Sequence, residues 1–200
     1  MKNFKNILVL ITLSFVTVNA NAALINFTGN IVYQNDVVYT YFTLDNDATD
    51  VRVWTDSFDS GVNFDPITAL WDSSGNLIAE NDDDGAVNPS TQTYYDSGFT
   101  LSSLAAGDYL FTVATYANFA NGLTLADGFA YDSDTPIALS NWCQPANNCN
   151  MGSYWSVWLD GVDSARNPSS ISVPEPSSIA LLGLGLVVAR ISRRKKFHNS

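Results

Sequence analysis

From residue 24 to residue 160 the chain alternates rather than turning with a helical period, and this sets what it can fold into. Residues 37–44 read Val-Val-Tyr-Thr-Tyr-Phe-Thr-Leu, which puts Val38, Phe42 and Leu44 on one face and Val37, Tyr39 and Tyr41 on the other. A period of two is the signature of a strand with unlike faces. Residues 51–55 set Val51, Val53 and Thr55 against Arg52 and Trp54, and 108–116 form the clearest core strand. Further short runs occupy 24–33 (broken at Gly29-Asn30), 67–71, 76–80, 93–101 and 155–159. Clusters of Gly, Asn, Asp and Pro separate them, and β-branched and aromatic residues suit a pleated, half-buried surface. About eight such strands argue for an all-β fold, an antiparallel β-sandwich of jelly-roll-like form. Residues 117–153, rich in Asn and Gly, are expected to form one large ordered loop with a short strand near 128–131.

Two apolar segments bracket this region. At the N-terminus Lys2 and Lys5 precede an apolar run over 7–18, and Ala20-Asn21-Ala22 offers a small-x-small cleavage site. This reads as a secretory signal peptide over 1–22, a signal helix served by the Sec export machinery and signal peptidase. At the C-terminus Val173-Pro174-Glu175-Pro176 is followed by an uncharged apolar stretch, then by Arg193-Arg194-Lys195-Lys196. The prolines hold an extended segment, because each fixes φ and lacks an N–H. Residues 177–191 make about 22 Å of helix at roughly 1.5 Å per residue. That is short of the about 20 apolar residues a bilayer core requires, though long arginines can snorkel. A transmembrane helix this short suits a transient anchor, and its basic end favours the cytoplasmic face. The expected organisation is therefore signal peptide 1–22, sandwich 23–164, linker 165–172 and sorting signal 173–200.

The triplet Pro174-Glu175-Pro176, the apolar stretch and the basic end, in that order, resemble the PEP-CTERM sorting signal of Gram-negative bacteria. The resemblance implies an exosortase as processing partner, a transient stay in the inner membrane and delivery to the cell surface or extracellular matrix.

Charge and residue usage narrow the function further. The exported region carries nineteen acidic side chains and two basic ones, Arg52 and Arg166, a formal charge of −17. Nucleic acid and anionic lipid are repelled by such a domain, and cations are its natural ligands. The one histidine, His198, lies in the tail, so neither a Ser-His-Asp nor a Cys-His arrangement can form in the sandwich. Zinc is disfavoured for the same reason. Cys143 and Cys149, six apart in an exported chain, read as a disulfide pinching one loop. A non-enzymatic protein is the expectation. Paired carboxylates for glycoside hydrolysis are the enzymatic alternative, without any cleft signature.

Residues 65–85 read as a hairpin turning at Asp72-Ser73-Ser74-Gly75. Antiparallel pairing returns the chain to its start, so Asp65 is expected beside Asn81, Asp82, Asp83 and Asp84. Oxygen ligands so gathered suit Ca²⁺; the alternative is a solvated acidic loop. The order Asp-Pro-x-x-x-Leu-Trp-Asp-x-x-Gly-x-Leu-Ile-Ala-x-Asn-Asp-Asp, with Leu104-Ala105-Ala106-Gly107-Asp108-Tyr109 after it, is similar to bacterial pre-peptidase C-terminal domains. That resemblance implies a β-sandwich, often calcium-associated. A carbohydrate-binding module for extracellular polysaccharide is the second functional reading, with Trp142 and Tyr154, in or beside the long loop, as the candidate ligand contacts.

Overall fold

A computed structural model describes residues 24–145 and 148–168. The signal segment, the sorting signal with Val173, Pro174, Glu175 and Pro176, and the two expected terminal helices lie outside the described residues.

Nine strands form two antiparallel sheets: β1 (Ile25–Asn30), β2 (Val37–Leu44), β3 (Val51–Thr55), β4 (Pro66–Asp72), β5 (Leu77–Asn81), β6 (Gly98–Leu101), β7 (Gly107–Thr115), β8 (Tyr154–Asp160) and β9 (Ser164–Arg166). One sheet has the order β1-β8-β3-β6, the other β5-β4-β7-β2-β9. The alternation in β2 predicts its two faces. Val38, Phe42 and Leu44 are buried between the sheets, where they pack with Val53, Phe111, Val157 and Leu159. Tyr39 and Tyr41 face away from this core and are only partly covered. Trp155 lies over β1, and a Cβ on Gly29 would come within 2.5 Å of its ring, so the side-chain-free position is what lets the indole in. The hairpin turn between β4 and β5 forms as expected. Asp72 Oδ1 accepts the N–H groups of Ser74 and Asn76, and Gly75 takes a positive φ of 80°.

Within the described part of segment 117–153, Ala120, Leu125 and Phe129 fold back onto the sheet. Phe129 packs edge-on against Trp71 at 6.1 Å, and a small cluster of Ala69, Trp71, Leu110 and Phe129 forms on the outer face of the five-stranded sheet. Beneath this cover β4 is buried along nearly its whole length on both faces, which explains why Ile67-Thr68-Ala69-Leu70-Trp71 shows no apolar/polar alternation; its one polar side chain, Thr68, is hydrogen-bonded to the Ser97 hydroxyl. In place of a strand near 128–131 there is an isolated bridge between Ala120 and Phe129.

Two other stretches differ from expectation. Residues 93–97 are a turn, and only Gly98–Leu101 pairs. The cause is Asp96, fully buried. Its Oδ1 accepts from the Phe58 N–H and the Thr55 hydroxyl, and its Oδ2 from the Thr93 N–H and hydroxyl. Such local side-chain bonding diverts backbone from the ladder. Residues 164–166, the last two of them read as the start of the linker, form β9, which pairs with Thr43, Phe42 and Tyr41 of β2. Edge pairing rather than apolar pattern defines this strand.

If the loop is a packed layer, Phe129→Ala should lower unfolding free energy by about 3 kcal/mol and expose Trp71. Urea unfolding followed by tryptophan emission measures this, and an unchanged midpoint would contradict the two-face burial of β4.

Candidate metal centre

The site grows from the hairpin. In the β4–β5 pairing Thr68 stands opposite Asn81, so the residue before β4 and those after β5 emerge side by side. Asp65 is held by its backbone: its N–H donates to Gln144 Oε1 at 3.1 Å and its carbonyl accepts from the Tyr116 N–H at 2.9 Å. On the other side, Asp84 N–H donates to Asp96 O at 2.8 Å, and Gly85 lies so close to the Thr93 carbonyl that a Cβ would sit 2.6 Å from its oxygen. The buried Asp96 turn therefore anchors the acidic loop.

One carboxylate oxygen from each of Asp65, Asp82 and Asp83 falls within 4.8 Å of the others. Asp65 is buried, Asp82 half-buried and Asp83 exposed. Burial, then the negative charges of Asp83 and Glu80, push the Asp82 carboxyl up to about 6. Burial also raises Asp83. Asp82 Oδ1 is buried and has no hydrogen-bond partner. A buried acceptor without a donor is costly, as is a carboxylate among carboxylates. The domain's two arginines are engaged elsewhere, Arg52 in an ion pair with Asp160 and Arg166 over the Tyr41 ring. The donor set is hard oxygen throughout, and the orphaned Asp82 oxygen faces the chemistry a cation would satisfy. These residues fit Ca²⁺, whose remaining oxygens would come from backbone and water.

The structure thus brings together three of the five residues expected at this corner. Asn81 braces the corner: its Nδ2 donates to Gly98 O, and its carbonyl accepts from the Ser97 hydroxyl. Asp84 caps its own loop, with Oδ1 accepting from the Ala86 N–H. The Cys143–Cys149 disulfide forms. Gln144, directly after Cys143, was invisible as a site residue in the sequence, yet it is buried and positions Asp65. Trp142 is half-buried against the main core with Tyr131 edge-on to it at 6.2 Å, while Tyr154 is 40% exposed at the start of β8.

Residues 172–196 match the PEP-CTERM protein-sorting motif. The chain matches no curated protein. The motif directs export and exosortase processing, with a transient membrane anchor before cleavage.

A raised Asp82 has a defined effect on stability. The folded state keeps a proton on this carboxyl up to about 6, whereas the unfolded chain releases it near 4. With chelator present, stability should therefore fall as pH rises from about 4 to about 6. Urea midpoints across this range check the slope, and Asp82→Asn should flatten it.

Proposed function

We propose that this exosortase-targeted protein is a non-enzymatic component of the cell surface or extracellular matrix, whose sandwich is stiffened by calcium. The sorting motif carries the reading. A chain that is exported, held briefly at a membrane and then cut from its anchor works outside that membrane. The absence of histidine from the sandwich and the oxidation of both cysteines support a role without catalysis. Convergence of Asp65, Asp82 and Asp83 supports the calcium.

In the calcium reading the ion ties the start of β4 to the loop after β5. Asp65 is fixed through Gln144 and Tyr116, and Asp82 and Asp83 are carried on a loop pinned to Asp96. Charge repulsion that loosens this corner then becomes an attraction that closes it. A ligand bound only by the folded state stabilises it in proportion to RT ln(1 + [L]/Kd).

Two measurements test the proposal. Mass spectrometry of cell fractions and culture medium should find the mature chain without residues 1–22 and without the apolar tail. Full-length protein resident in the inner membrane, in cells with a working exosortase, contradicts the sorting role. Separately, calcium at about 100 times its Kd should add about 2.7 kcal/mol of stability and raise the melting temperature by several degrees. Asp82→Asn with Asp83→Asn should abolish the gain, and identical melting with calcium and with EDTA rejects the ion.

A further inference from the structure

We propose that the Cys143–Cys149 disulfide sets the affinity of the acidic corner for calcium, with Gln144 as the positioning residue that couples the two. This regulation rests on the calcium reading and adds a redox dependence to it.

Bridge and site are joined through a single residue. Cys143 and Cys149 are both exposed, whereas Gln144, between Cys143 and Pro145, is buried. A residue ahead of proline is confined to extended backbone, and the bridge ties down its other neighbour. Across the bridged stretch the Gln144 N–H donates to Asn148 O at 3.2 Å, and the Asn150 N–H to Trp142 O at 2.8 Å. From this backbone the Gln144 side chain accepts the Asp65 N–H on its Oε1 at 3.1 Å. A buried backbone N–H must be matched, so Asp65 cannot keep its place once Gln144 withdraws. Of the three gathered carboxylates Asp65 alone is buried, and its position sets how closely the exposed side of the site can gather around an ion.

The other amide atom of Gln144 supports the same site. Its Nε2 is buried and has no hydrogen-bond partner. A buried donor beside a carboxylate that gathers a cation calls for an oxygen, and a water held by the ion supplies one. Exposure of both cysteines lets a dithiol reach the bridge. Its thiolate attacks one cysteine sulfur and the other leaves as a thiolate; the second thiol of the reagent then displaces the first. Two electrons and two protons pass to the protein, two cysteine thiols form, and the dithiol becomes a disulfide. Residues 143 and 149 lose their covalent tie, and Gln144 its fixed backbone. Removal of a group that orients a metal ligand costs about tenfold to a hundredfold in affinity. Such coupling is reciprocal: if the oxidised domain binds calcium more tightly, calcium favours the oxidised domain by the same factor.

The test is calcium titration calorimetry of the full chain in mild detergent, oxidised and after reduction with dithiothreitol. Reduction should weaken calcium binding about tenfold. Gln144→Ala with the bridge intact should weaken it as much, and reducing that variant should add little, because both changes break one coupling. In mixtures of reduced and oxidised dithiothreitol, saturating calcium should shift the ratio that opens half of the bridges by about tenfold, read by thiol alkylation and mass spectrometry. Melting curves report whether the reduced chain and the variant fold; where one does not, the other decides. Equal affinity in the oxidised and reduced chains, undiminished binding by Gln144→Ala, a full further loss when that variant is reduced, or a bridge indifferent to calcium overturns the coupling and leaves calcium binding standing. No heat of binding in the oxidised wild-type chain overturns both.

Discussion

Burial of the interior strand β4 on both faces is the constraint on which the remaining architecture depends. Leu70 points into the main core with Phe111 and Val113, while Ala69 and Trp71 lie under Phe129. A sheet clothed on both sides needs a second layer, and the long loop supplies it. The Trp71 indole N–H, which would be stranded in such a place, donates to the Thr112 hydroxyl of β7 at 3.0 Å. The polar group taken inside with this ring is in this way matched across a neighbouring strand, as close packing in a low dielectric demands.

From that arrangement follow two consequences at opposite ends of one face. Beyond Leu125 the cover over this face stops, and a cavity lined by Tyr41, Leu110 and Leu125 opens beside the hairpin turn. Where the hairpin begins and ends, β4 and β5 deliver Asp65 and the Asp82–Asp83 pair to a common corner. The same hairpin thus takes part in both features. Its turn, through Asp72 and Gly75, borders that cavity, and its open end holds the acids. Rigidity in β4 and β5 is what allows either feature to have a defined geometry.

Local polar devices hold the acidic corner. A buried aspartate with four donors makes the 93–97 turn, a buried glutamine in the disulfide-bridged loop grips Asp65, and a close-packed glycine seats the acidic loop. Each trades regular ladder for a fixed loop. The result is a half-buried carboxylate cluster, and burial first, then the charges of Asp83 and Glu80, is why Asp82 holds its proton to about 6. Such a corner is unstable in charge until a proton or a cation enters it.

By itself the sequence determined the strand-rich sandwich, the disulfide and the address carried at the C-terminus. Alternation in β2 and β3, the Asp72–Gly75 turn and the triplet with its apolar and basic sequel are local patterns, and local patterns are set by backbone sterics and side-chain period. It also placed Asp65 near the acidic run, because hairpin closure is a matter of counting. Only the tertiary structure decided that the loop after β7 packs Phe129 onto Trp71, that 164–166 pairs as an edge strand, and that Gln144 turns in to hold Asp65. It alone set Arg166 on Tyr41. Those outcomes rest on contacts between residues far apart in the chain, such as Gln144 with Asp65 and Phe129 with Trp71, and no periodicity or spacing encodes a partner that distant.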